Sequence, residues 1–183
     1  MLASVAEAET DSNDETLLAR AAAGDRESFR LLHERHRRRV FQIAYRVTGN
    51  ADDAEELTQE TFLTIYREAQ TFQGRARFTT WLTSIALNKS INLAKQRQGR
   101  FSLLRRFFGK PRESVAVPSD AAQGILDRVA PAYRAILTLR YVMGYSYEEV
   151  AQTLGCPLGT AKSKLFQAHL AVRRALEGKG VDE

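Results

Sequence analysis

Apolar residues recur at three- and four-residue steps along most of this chain, the spacing of helices that each bury one stripe. A short helix is expected over residues 14–23, and Gly24 followed by Asp25 reads as a stop and a new N-cap. The next helix should run to about Val47, burying Phe29, Leu32, His36, Val40, Ile43, Ala44 and Val47. Thr48-Gly49-Asn50 breaks it, and Asn50 can cap a third helix whose first turn holds Asp52, Asp53, Glu55 and Glu56. That helix should reach about Ala69. After Gln73-Gly74, Thr79 or Thr80 opens a fourth, passing Trp81, Leu82, Ile85 and Ala86 towards Gln96.

From residue 98 to 122 the pattern turns basic and aromatic, and Gly109, Pro111 and Pro118 oppose a continuous helix. This stretch reads as a flexible linker. Beyond it, Ile125, Val129, Tyr133, Ile136, Leu137 and Leu139 suggest two short helices parted at Pro131, a residue suited to a first helical turn. Ser146 and Glu149 form an S-x-x-E capping box, Gly155 ends the helix it starts, and Pro157 opens a last helix to about Leu176. That succession is a helix-turn-helix. No alternating pattern supports a sheet. The expectation is therefore all-α: an acidic tail (1–13), a helical domain (14–97), the linker (98–122), a helix-turn-helix domain (123–177) and a short tail (178–183).

The helix faces carry the candidate chemistry. Wound at 100° per residue, the last helix turns Leu158, Ala161, Leu165, Ala168, Val172, Ala175 and Leu176 inward. Its other side presents Lys162, Ser163, Phe166, Gln167, Leu170, Arg173 and Arg174. Lysines can meet phosphate or guanine, Ser163 and Gln167 can bond base edges, and Phe166 can touch a thymine methyl; the alternative is a solvated basic face. On the third helix Asp52, Asp53, Glu56, Gln59, Glu60, Leu63 and Arg67 share the outer side. Acids repel phosphates, so this face suits a basic protein partner, unless it is merely solvated. On the fourth, the line of Trp81 continues into Asn88, Asn92 and Lys95, with Arg97 and Arg100 beyond. Such groups can bond unpaired bases, with Arg75 and Arg77 holding the backbone; equally, the asparagines could satisfy buried backbone groups.

Composition narrows the classes. Net charge is +5 with a pI near 9.6, which favours a polyanionic partner. The single cysteine, Cys156, cannot form an internal disulfide, and the histidines are not spaced as metal ligands. The start of the chain is acidic and lacks the apolar core of a secretory signal, and no apolar run is long enough for a membrane helix. A cytoplasmic protein without cofactor or metal is expected. No phosphate-cradling glycine loop or nucleophile-base pairing suggests an enzyme.

The segments DDAEELTQETF at 52–62, FTTWLTSIALN at 78–88 and YSYEEVAQTLGCPLGTAKSKL at 145–165, in that order, resemble a bacterial RNA polymerase sigma factor of the extracytoplasmic-function (ECF) group. The resemblance covers residues 14–176. It implies binding to core RNA polymerase, at the clamp helices of the largest subunit and the β flap, and promoter-specific initiation. Asp53, Glu56, Gln59 and Glu60 would face the polymerase, with Leu63 beside them. Asn88, Asn92 and the stretch Lys95 to Arg100 would meet the minus-ten strand, and Thr160, Lys162, Ser163, Lys164, Phe166 and Gln167 the minus-thirty-five duplex. It also implies control by an anti-sigma factor, one that could itself be membrane-anchored. His33 and His36 depart from the family's usual residues, and ordinary packing suits them better than pH sensing. Rival readings are a polymerase-independent helix-turn-helix regulator, which should dimerise and footprint alone, and an adaptor that sequesters an inhibitor without starting transcription.

Overall fold

The computed structural model describes residues 13–108 and 121–178, and their side chains except those of 100–108, 121 and 122. Residues 1–12 of the expected acidic tail, 109–120 of the expected linker, 179–183 of the expected end tail and the side chain of Arg100 thus lie outside the described residues, while Asn13 caps the first helix. Every regular element among those described is helical.

Helix α1 spans Asp14–Ala22, capped by the Asn13 side chain, which accepts from Thr16 N at 2.8 Å. Gly24 follows at φ 100° and Asp25 caps α2, Arg26–Thr48, by accepting from the backbone of Glu27 and Ser28. The expected stripe of α2 is buried from Leu32 to Val47, while Phe29 stays half-buried and packs edge-on against Phe62 and Tyr66. Gly49 closes α2 in the left-handed region, and Asn50 caps α3, Ala51–Glu68, which ends in a 3-10 turn, Ala69–Thr71. Helix α4, Phe78–Phe108, starts one residue before the expected threonines and runs well past Gln96. No proline interrupts it before Pro111, and at 31 residues it is about 46 Å long. Glu15 of α1 reaches its start and satisfies one of the first backbone donors, accepting from Phe78 N at 2.9 Å.

In the C-terminal half, α5 is Ala121–Leu126 and α6 is Pro131–Leu137, Pro131 taking the first helical turn as expected. A π-type turn, Thr138–Val142, continues α6. Helix α7, Tyr147–Thr153, starts with both halves of the Ser146/Glu149 capping box in place. Gly155 turns at φ 60°, and α8 covers Leu158–Leu176, with Pro157 as its N-cap rather than its first helical residue. On α8, Ala161, Leu165, Ala168 and Ala175 are buried, but Leu158 and Leu176 are 37% and 62% exposed, and Ala171 turns inward as well. Their expected place in the buried arc fails: the covered face of α8 runs through Ala161, Leu165, Ala168, Ala171 and Ala175, and Leu158 and Leu176 stand at its ends and edge.

Sequence left the mutual arrangement of the halves open. In the structure they pack together: α2 and α4 lie against α6 and α7, and one buried cluster runs from Leu17, Leu32 and Phe78 through Leu82 to Ile136, Leu139 and Leu165. Each fully buried leucine contributes about 1.5–3 kcal/mol, so this shared core is a substantial part of what holds the fold.

Candidate nucleic-acid and polymerase interface

On α3 the outer face is as acidic as the sequence promises, with one exception. Glu56, Gln59, Glu60 and Leu63 are exposed, Leu63 at 56%. Asp53 is only 2% exposed and forms an ion pair with Arg97, reached across from α4. Its position, four residues before the buried Leu57, lies at the border of the two faces, and α4 covers it. Asp53 therefore does not stand on the exposed surface, whereas the side chain of Arg97 remains 46% exposed. Burial pushes the Asp53 carboxyl up from its ordinary range, against the pull of the Arg97 charge. Its second oxygen finds no partner among the described residues.

A shallow groove separates α3 from α4, lined by Glu56, Glu60, Lys89, Asn92 and Gln96, and Lys89 Nζ spans it to Glu60 at 3.4 Å. Farther round α4, Asn88, Asn92 and Lys95 are exposed in one line. Their exposure removes the alternative that the asparagines satisfy buried backbone groups. Arg75 and Arg77 are exposed in the turn after Gly74, beside a cleft that Glu15, Glu149 and Gln152 also line. The residues expected to meet the minus-ten strand are thus exposed on α4 and in the turn before it.

The helix-turn-helix presents Thr160, Lys162, Ser163, Lys164, Phe166, Gln167 and Arg173 to solvent. Phe166 is 60% exposed, a large apolar side chain on an otherwise polar surface. Tyr147, which the sequence reading passed over, places the cations: Lys162 Nζ lies 5.7 Å and the Arg140 guanidinium 5.0 Å from its ring centre. Arg173 Nε donates to Glu177 at 3.1 Å, an exposed and therefore weak pair.

One further surface was missed in the sequence. Ile125, Leu126, Leu137, Tyr141, Val142 and Leu176 line an apolar groove between α5, α6 and α8, with the Tyr141 hydroxyl 2.7 Å from His169 Nε2 at its rim. Leu176 was expected in the buried arc, and its 62% exposure places it at the edge of this groove instead. Among the described residues no helix is long and apolar enough to cross a membrane.

The chain matches the family Sigma-70 region 2 over residues 32–100 and Sigma-70, region 4 over residues 119–172. It is 31% identical over 176 residues to the ECF RNA polymerase sigma-E factor of Salmonella typhimurium (strain LT2), covering 87% of this chain and 92% of that one. It is 34% identical to the ECF RNA polymerase sigma factor SigE of Mycolicibacterium smegmatis, over 78% of this chain but 59% of that longer relative. Among solved structures, CnrH in complex with the cytosolic domain of CnrY shares the fold at a TM-score of 0.68, with 24% identity over 90% of this chain and 97% of that one. The two matched regions coincide with the two halves that carry the exposed faces described above. The chain belongs to the ECF group of RNA polymerase sigma factors, transcription initiation factors that act with core RNA polymerase at promoters.

Proposed function

We propose that the exposed face of α3 holds core RNA polymerase while α4 and α8 each read one promoter element. Glu56, Gln59, Glu60 and Leu63 form a charged rim with an apolar centre, the composition of a protein-docking patch, and suit the clamp helices of the largest subunit. Asn88, Asn92 and Lys95 take unpaired bases of the minus-ten strand, and Arg75 and Arg77 hold its phosphates. Thr160, Lys162, Ser163, Lys164, Phe166, Gln167 and Arg173 lie against the minus-thirty-five duplex. The observation that carries the reading is Phe166, left 60% exposed between Lys162 and Gln167. A merely solvated helix face has no use for it, whereas a thymine methyl does. The chain acts in the cytoplasm and supplies no covalent chemistry; nucleotide addition belongs to the polymerase. Held in register by the larger enzyme, two weak DNA contacts act together through effective concentration.

Run-off transcription with purified core polymerase and a genomic template library tests this directly. Promoter-dependent transcripts are expected only when the chain is added. Failure to co-elute with core polymerase at low salt would overturn it.

Control by an anti-sigma factor is a second proposal, supported by the apolar groove of Tyr141, Val142 and Leu176. A solved neighbour of the same fold, the sigma factor RpoE of Bartonella quintana, at 24% identity and a TM-score of 0.57, carries the anti-sigma factor NepR. An apolar helix of such an inhibitor would fill the groove, and Tyr141→Asp should weaken inhibition while leaving basal transcription.

A further inference from the structure

The ring of Tyr147 joins three elements of the helix-turn-helix half. It belongs to the first residue of α7, directly after the Ser146 cap, and the side chain stays 37% exposed. Lys162 of α8 brings its Nζ to 5.7 Å from the ring centre, and Arg140 of the π-type turn brings its guanidinium to 5.0 Å. Both lie within the roughly 6 Å over which an aromatic face attracts a cation. Arg140 is itself fixed, because its Nη1 donates to the Tyr145 carbonyl oxygen at 2.7 Å. The guanidinium thus steadies the ring, and the ring carries the lysine.

A carboxylate competes for that lysine. Glu148 follows Tyr147 in the chain, and its carboxyl is held below its ordinary range by its own backbone N–H and the Ser146 hydroxyl, and less strongly by the charges of Lys162 and Arg140. A lysine ammonium is a compact charge on a flexible four-carbon stem, free to swing towards such a neighbour. Paired with Glu148 it would be neutralised. In the structure it stands over the uncharged ring instead, where it keeps its full charge and can still be offered to a phosphate or a guanine.

We infer that Tyr147 is a positioning residue for duplex reading: its ring, steadied by Arg140, holds Lys162 away from Glu148 and presents it to the DNA before contact. The inference rests on the reading of α8 in "Proposed function". A side chain ordered in advance loses less freedom on binding, and the difference appears as affinity. An exposed cation–ring contact is worth a factor of about two to five in a binding constant, which sets the size of the effect.

Holoenzyme assembled with Tyr147→Leu should bind a duplex carrying the minus-thirty-five element about two- to fivefold more weakly than wild type, with unchanged affinity for core polymerase. Tyr147→Phe keeps the ring and should bind as wild type does. The loss should vanish in a Lys162→Ala background, where nothing is left to position. Glu148→Gln should improve binding by Tyr147→Leu more than it improves binding by wild type, since it removes the competing charge. A tyrosine that merely supported the fold would cost the same affinity with or without Lys162, and that result would overturn the inference. So would a loss in Tyr147→Phe equal to that in Tyr147→Leu, which would give the role to the hydroxyl. Lys162→Ala separates the two levels of the argument. If it weakens duplex binding while Tyr147→Leu does not, the positioning role alone fails; if it binds as tightly as wild type, the reading of α8 fails and the positioning role with it.

Discussion

The Asp14 carboxylate meets the His36 imidazole, with Oδ2 and Nε2 2.7 Å apart across the seam between α1 and α2. Arg35 Nη1 reaches the other oxygen at 2.7 Å. These contacts make α1 part of the fold and bring Glu15 to the start of α4, where it bonds Phe78 N. His36 thereby acts as a buried structural residue, as packing suggested.

Burial alone would raise the Asp14 pKa, but the hydrogen bonds and charges of His36 and Arg35 outweigh it and hold the carboxyl below its ordinary value. A depressed folded pKa contributes stability that is present above the unfolded value and lost as pH falls through the folded one. Asp14→Asn should therefore destabilise the protein by about 1–3 kcal/mol at neutral pH, with the gap to wild type closing below the usual carboxylate range. Denaturant unfolding at several pH values checks this, and a gap independent of pH would refute the ion-pair account.

Asp53 has the opposite sign. Its raised folded pKa means that the protonated form contributes stability below the unfolded value, and that this contribution disappears as pH rises through the folded one. Asp53→Asn should thus be neutral or gain up to about 1 kcal/mol at neutral pH, since half-exposed Arg97 can turn to water. The gain should vanish in acid. A loss of core-polymerase binding without loss of stability would instead return Asp53 to the docking face.

Removing the duplex-reading side chains separates recognition from docking. Lys162→Ala combined with Phe166→Ala should abolish promoter choice while leaving affinity for core polymerase at the wild-type level. Lys162→Ala alone should lower the salt dependence of DNA binding by roughly one counterion. Loss of core binding in the double variant would contradict the assignment of α8.

Asn88→Ala and Asn92→Ala should each slow strand opening by roughly tenfold, the scale of a lost base-edge contact. Thermal stability should not move, because both side chains are exposed. Permanganate reactivity of unpaired thymines at the promoter reads the defect, and unaltered opening would argue that other residues hold the strand.

Ser146→Ala tests how the recognition helix is supported. The Ser146 hydroxyl accepts from Glu149 N at 3.1 Å, and the Glu149 carboxylate returns a bond to Ser146 N at 2.8 Å. Loss of this cap should cost about 1 kcal/mol and weaken duplex binding without altering core binding. An unchanged melting curve would show that tertiary packing alone holds α7.

Helix positions and caps were legible from the chain because they depend on neighbours a turn away. Asn50, Asp25 and the Ser146/Glu149 box needed nothing beyond local hydrogen-bonding chemistry, and the stripe from Leu32 to Val47 followed from periodicity alone. So did the exposed line on α8, which lies opposite an apolar stripe, whereas on α4 the line that begins at Trp81 left open whether Asn88 and Asn92 are buried, and only the packing exposes them. Periodicity says which side of a helix is wet, but not which distant element lies over its border positions. Asp53 was for that reason misplaced on the docking face: α4 crosses α3 there and buries it against Arg97, whose own side chain stays half-exposed. The ends of α8 misled for the mirror-image reason: the pattern takes in Leu158 and Leu176, although among the described residues neither is covered as the middle of the helix is. Tyr145, Arg39 and Thr83 are far apart in sequence and share no motif, so their meeting, with Arg39 Nη2 at 2.8 Å and Thr83 Oγ1 at 3.1 Å from the Tyr145 hydroxyl, had no local signature. Contacts of that range arise only when whole helices pack, and they alone set how the two halves face one another.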